Sequence, residues 1–148
     1  MVPSLMPSRA ARGLQHKRGM AGITKFEDLI AWQRASELAD LVDAMTCEGR
    51  KASLNRKFTE QIQASSAKAP AQISEGFLRF RPKESAYFYR IARSSLGETK
   101  THLQRGRSRG YWTAEEFQKA RDIVEEALRV TTGLLKDRLR VIAEDEDE

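Results

Sequence analysis

Nine lysines and arginines fall between Leu78 and Gly110: Arg79, Arg81, Lys83, Arg90, Arg93, Lys100, Arg105, Arg107 and Arg109. Only two acids, Glu84 and Glu98, share that stretch. A run so one-sided makes a positive field that attracts phosphates or acidic partners. Lys83, Arg90, Arg93 and Lys100 are separated by seven, three and seven residues. Seven residues is close to two helical turns, so on a helix these four share one broad face. Arg105, Arg107 and Arg109 then gather where the helix dipole favours cations. The chemistry on offer is polyanion binding. The plain alternative is a solvated helix face.

Other residue types offer less. Glu75 and Glu98 could form a carboxylate pair for a metal or for acid–base work. Ferritin-like bundles do this with Glu-x-x-His motifs, and none occurs here. The alternative is a polar lock between helices or subunits, each carboxylate paired with Arg79, Arg93, Ser94 or Thr99. His102 reads as a hydrogen-bonded core histidine and Cys47 as structural. Trp32, Trp112, Tyr87, Phe88 and Tyr89 could stack on bases, or could be core and interface aromatics. One cysteine excludes an internal disulfide framework and a cysteine-rich zinc site. No Gly-rich phosphate loop or serine elbow is present. The expectation is a protein that is not an enzyme, with no metal and no cofactor.

The elements that must position these residues follow from periodicity. The chain of 148 residues is one domain in size, with 40% hydrophobic and 32% charged residues. No apolar run reaches the ~18–20 residues of a membrane span. Four helical segments emerge. The first covers about Phe26–Cys47, with Ala31, Ala35, Leu38, Val42 and Met45 on its seam and Thr24/Glu27 as a capping box. The second covers about Ser53–Phe80, rich in small residues in its middle. Pro70 is expected to kink or break it, and Gly76 is a second weak point. The third starts at Pro82, a favoured first position, and runs to about Arg107. Its expected inner stripe is Phe88, Ile91, Ser95, Glu98 and His102. The fourth opens on a Thr113/Glu116 capping box and carries Phe117, Ala120, Val124, Ala127, Thr131, Leu134, Arg138 and Ile142 inward. No segment alternates like a strand. The expected fold is all-α, an antiparallel up-down-up-down four-helix bundle over 26–142.

The ends differ from the body. Residues 1–25 carry five cations and no acid, lack a helical period, and are expected to be disordered. They hold no apolar region of signal-peptide length. Met20 is the expected start, and an organellar transit peptide is the alternative. The free Cys47 fits a cytoplasmic location. The acidic stretch 143–148 is expected to be frayed.

The order of motifs supplies a resemblance. Phe26-Glu-Asp-Leu is followed by Trp32-Gln-Arg-Ala. Gln61 comes next, then Ala69-Pro70-Ala-Gln72-Ile-Ser74-Glu75-Gly76 with Arg79 after it. Ile91-Ala-Arg-Ser-Ser-Leu-Gly-Glu98 and Leu103 complete the set. This resembles the four-helix bundle family named for proteins encoded in intervening sequences of bacterial 23S ribosomal RNA genes, also labelled S23. The likeness spans about Phe26–Leu139. It is also similar to the accessory proteins of diversity-generating retroelements. The resemblance implies a ring-like homopentamer and, through the second likeness, nucleic-acid binding on a basic surface. It names no catalytic residue. The family typically has Ile-Pro-x-Asn-Ile-Ala-Glu-Gly where this chain has Gln72 for Asn and Ser74 for Ala. Gln72, Glu75 and Arg79 are carried over only as bundle or interface residues, and Trp32 and Glu98 are expected in the same structural role.

The reading that follows is a non-enzymatic homo-oligomer that binds RNA or DNA, mainly through phosphates, with the nine cations as its contacts. A protein-interaction adaptor using the same face is the alternative, and the acidic tail could then compete for that face.

Overall fold

The computed structural model describes residues 22–147. A 3-10 turn, Phe26–Asp28, leads into α1 (Ile30–Thr46). A second 3-10 turn, Lys51–Leu54, leads into α2 (Arg56–Leu78), which is followed by α3 (Pro82–Ser108) and α4 (Ala114–Glu146). Short connections return the chain antiparallel each time. α1 packs on α2, α2 on α3, α3 on α4 and α4 back on α1. α1 and α3 share no comparable contact and stand at opposite corners. This is the expected all-α four-helix bundle. Among the described residues there is no strand, and no helix is long and apolar enough to cross a membrane.

Each helix sends a small apolar stripe inward. Leu38, Val42 and Met45 of α1 meet Ile62 and Ile73 of α2, Leu96 and Leu103 of α3 and Val124 of α4, all buried in one core. The first boundary differs from expectation. Thr24 makes no cap, and Lys25 precedes a 3-10 turn without a side-chain bond. Leu29 is buried just before α1, and Phe26 packs on Trp32 at 5.5 Å between centroids. Burial of these apolar groups sets the entry of the chain. α2 begins on Asn55, whose Oδ1 accepts from the Phe58 amide at 3.1 Å. It runs through Pro70 without a break. The proline removes one helical bond, but the flanking Ala69 and Ile73 are fully buried and hold both halves in the core. Of residues 1–25, those from 1 to 21 lie outside the described residues, as does the expected start at Met20. Ile23 packs against the core.

The expected inner stripe of α3 is displaced. Glu98 is exposed, and Phe88, Ile91 and His102 are only half-buried. The buried set is Pro82, Ser85, Ala86, Tyr89, Ala92, Ser95, Leu96, Thr99, Leu103 and Gly106. Small residues on this face let α2 and α3 approach closely, and polar groups fasten the contact. Ser95 Oγ donates to Gln72 Oε1 at 2.7 Å, and Thr99 Oγ1 lies 2.8 Å from Ser65 Oγ. Ser85 Oγ donates to the Gly76 carbonyl at 2.7 Å. Gly76 is required there, because a Cβ would come within 2.6 Å of the Tyr89 ring.

α4 carries the expected capping box. The Glu116 amide donates to Thr113 Oγ1 at 3.1 Å, and Glu116 Oε1 accepts from the Thr113 amide at 3.0 Å. The helix then continues to Glu146, past the residue where fraying was expected. Arg140 ties the last turns, bonding Asp137 at 2.9 Å and Glu144 at 2.8 Å. Arg138 is buried as its apolar register requires, and burial pulls its guanidinium down to about 10, which leaves it charged at neutral pH.

Glu116 also pairs with Arg50 across the bundle end. The Thr113 amide, then Arg50, hold its carboxyl below the ordinary 4.5. A depressed carboxylate stabilises the fold fully above its unfolded value, and that share is lost as pH falls through the folded value. Glu116→Gln should therefore be less stable than the native chain at neutral pH. The gap should close as pH falls below 4.5. Urea melts across that range measure it, and a gap that stays constant would refute the coupling.

Candidate nucleic-acid interface

The long, nearly uninterrupted α3 sets the geometry. Its buried face turns Tyr89, Ala92, Leu96, Thr99 and Leu103 to the core, so the opposite face is turned to solvent. Lys83, Arg90, Arg93 and Arg105 are exposed on that side, and Arg81 is exposed at the residue that precedes the helix. None of these five has an ion pair among the described residues. Between them lie Ser94, Gly97, Thr101 and Ser108, which are small and uncharged.

The other four expected cations are partly engaged. Arg79 lies 4.8 Å from the Phe88 ring centroid and 4.0 Å from Glu75. Lys100 reaches across to Glu125 of α4 at 3.4 Å. Arg107 Nη1 donates to the Trp112 carbonyl at 3.0 Å, which shapes the turn into α4. Arg109 stands over the Phe58 ring at 5.7 Å. The nine residues thus divide between an outward face and the local structure that supports it.

α1, at the opposite corner, has the reverse sign. It exposes Glu37, Asp40 and Asp43, and its one cation, Arg34, bonds Glu37 and approaches Glu126 at 3.5 Å. The basic outward face of α3 and the acidic face of α1 thus stand at opposite corners of the bundle.

A groove of ≈ 320 Å³ opens between α3 and α4 beside this face, lined by Leu103, Phe117, Lys100, Arg105 and Arg121 among others. Lys100 and Arg121 both bond Glu125, at 3.4 and 3.0 Å, and Arg121 first, then Lys100, hold its carboxyl below the ordinary range. By its spacing alone Phe117 is a core residue of α4. The groove it floors was not legible, because its walls belong to two helices.

The expected interface residues lie apart. Trp32 is half-buried on Phe26. Gln72 is one of the residues that fasten α2 to α3. Glu75 and Glu98 are both exposed, and among the described residues their ion-pair partners are near in sequence: Arg79 at 4.0 Å from Glu75 and His102 at 3.5 Å from Glu98. A single turn brings Glu98 and His102 together, which a lock between helices does not require. Among the described residues no group of three histidine, cysteine or carboxylate ligands is placed to hold a metal. Cys47, read as structural, is exposed at the end of α1. Of the aromatics considered for stacking, Trp112 and Tyr89 are buried, while Tyr87 is exposed and meets Phe88 at 5.4 Å. Phe80, which was not singled out from sequence, is exposed next to Arg79 and Arg81.

Comparison with known proteins adds one match and one absence. The family model described as 23S rRNA-intervening sequence protein matches residues 27–133. No curated protein matches the chain.

Proposed function

The chain belongs to the 23S rRNA-intervening sequence protein family, and from that premise we propose that it is a non-enzymatic, homo-oligomeric bundle that binds nucleic acid through phosphates. The observation that carries this reading is the outward face of α3. Arg81, Lys83, Arg90, Arg93 and Arg105 are exposed there without ion pairs among the described residues, and small side chains between them let a backbone approach. Phosphate contacts of this kind position a strand and carry little sequence information. The Phe117 groove offers an apolar floor for a base next to Lys100 and Arg105. Leu78, Phe80 and Tyr87 leave an exposed apolar patch at the α2–α3 turn, which favours self-association. In the pentameric ring that the family resemblance suggests, five basic faces would sum into one surface. The location proposed is the cytoplasm.

Salt dependence tests the reading. Five phosphate contacts predict a log–log slope of about −4.5 on duplex and about −3.5 on single strands. Between about 50 and 200 mM salt the affinity should fall by roughly two to three orders of magnitude. Fluorescence anisotropy with labelled RNA and DNA measures it. No binding at the lower salt would reject the proposal and favour an adaptor whose basic face docks an acidic protein.

A further inference from the structure

At one end of the bundle the α1–α2 and α3–α4 connections face each other across an open hollow of ≈ 750 Å³. Lys51, Asn55, Arg56, Arg109 and Tyr111 supply its polar lining, and no acid contributes. Lys51 and Arg56 are exposed and have no ion pair among the described residues. Glu116, at the same end of the bundle, is held by Arg50 and its own capping box. The cations therefore face the hollow without a built-in counter-ion.

The neutral groups are fixed in a donating arrangement. Asn55 Oδ1 is committed to the Phe58 amide, which orients the side-chain amide so that Nδ2 donates to Tyr111 Oη at 2.9 Å. Arg109 stands over the Phe58 ring next to this phenol. With that oxygen accepting from Asn55, the Tyr111 proton is left to donate outward. The ring is held edge-on to Phe58 at 5.2 Å. The first amides of α2, at Arg56 and Lys57, have no intrahelical acceptor, and the positive end of this helix lies at the rim. The lining side chains offer cations and donors and no carboxylate.

We propose that this hollow is a binding site for a phosphate monoester. A monoester carries about −1.5 to −2 charges and three acceptor oxygens at neutral pH, where a backbone diester carries one charge. Three cations and a phenol donor match the first better. The volume accommodates a nucleoside as well as its phosphate. The phosphate can arrive as the 5′ end of a strand or on a free mononucleotide. The strand-end form rests on the proposed nucleic-acid binding, and the mononucleotide form stands without it.

The test compares one RNA sequence with a 5′-phosphate and with a 5′-hydroxyl, by anisotropy, alongside calorimetric titration with adenosine 5′-monophosphate. The phosphorylated strand should bind about tenfold tighter, the worth of one or two charge-assisted hydrogen bonds. Lys51→Ala with Arg56→Ala should erase that preference, and Tyr111→Phe should reduce it while keeping the ring. Both cations are exposed, so an unchanged melt confirms that the double variant folds. Arg90→Glu with Arg93→Glu should weaken both strands alike and leave the preference. Equal strand affinities together with mononucleotide binding that the double variant loses would assign the free nucleotide. Equal affinities with no mononucleotide binding, or a preference that survives Lys51→Ala with Arg56→Ala, overturn the proposal.

Discussion

Gly106→Ala should lower the unfolding free energy by about 2–4 kcal/mol, a large share of the ~5–15 kcal/mol typical of a domain. An added Cβ would stand 1.9 Å from Trp112 Cζ2 and 2.4 Å from Cη2. The indole cannot move aside cheaply. It is buried, its Nε1–H donates to the Leu103 carbonyl at 3.1 Å, and it packs on Phe58 at 5.8 Å. Overpacking costs about 1–3 kcal/mol, and an orphaned indole N–H about as much again. Alanine's better helix propensity returns about 1 kcal/mol. Gly97→Ala isolates that last contribution, since a Cβ there meets nothing within 4 Å. It should be neutral or stabilising by up to about 1 kcal/mol. Urea melts of the two variants decide the matter. Equal stability of both would show that Trp112 does not close on Gly106. The effect extends beyond the core, because Arg107 bonds the Trp112 carbonyl and Tyr111 precedes it. A displaced indole would therefore also disturb the hollow at the bundle end.

The helices themselves were legible because each carries a strong local signal. Pro82 opens α3 and Thr113/Glu116 opens α4 as their types require, and the seam Ala31–Ala35–Leu38–Val42–Met45 is buried as spaced. The signal failed where packing favours small side chains. Phe88 and Ile91 drew the expected face of α3 to one side, whereas Ala86, Ala92 and Gly106 face the core because α2 and the Trp112 ring come so close. Hydrophobicity ranks large residues first and cannot see a close approach. Asn55 went unread as a cap because a 3-10 turn, not a loop, stands before it. The basic run was legible as charge, but its division was not. Lys100 and Arg107 are engaged by Glu125 and the Trp112 carbonyl, partners that lie 25 and five residues away in sequence. The phosphate hollow was invisible for a similar reason: Asn55 and Tyr111 stand 56 residues apart and meet only through the fold.

The two-sided charge gives the second large effect, and separates a binding face from mere basicity. Arg90→Glu with Arg93→Glu should weaken nucleic-acid binding about 100-fold at moderate salt, because each reversal removes one phosphate contact and adds one repulsion. Both side chains are exposed, so stability should stay within about 0.5 kcal/mol. Taken alone, that loss could reflect total charge, since the protein starts at only +5. Adding Asp40→Lys and Asp43→Lys on α1 restores the net charge at the opposite corner. If the α3 face is the site, the compensated protein remains nearly as weak as the double variant, because cations on α1 are turned away from the strand and screened over about 8–10 Å. If it binds like the native protein, only the long-range field matters and the outward face of α3 has no special role. Anisotropy titrations of the three proteins at one salt concentration, with melts to confirm folding, give that answer directly.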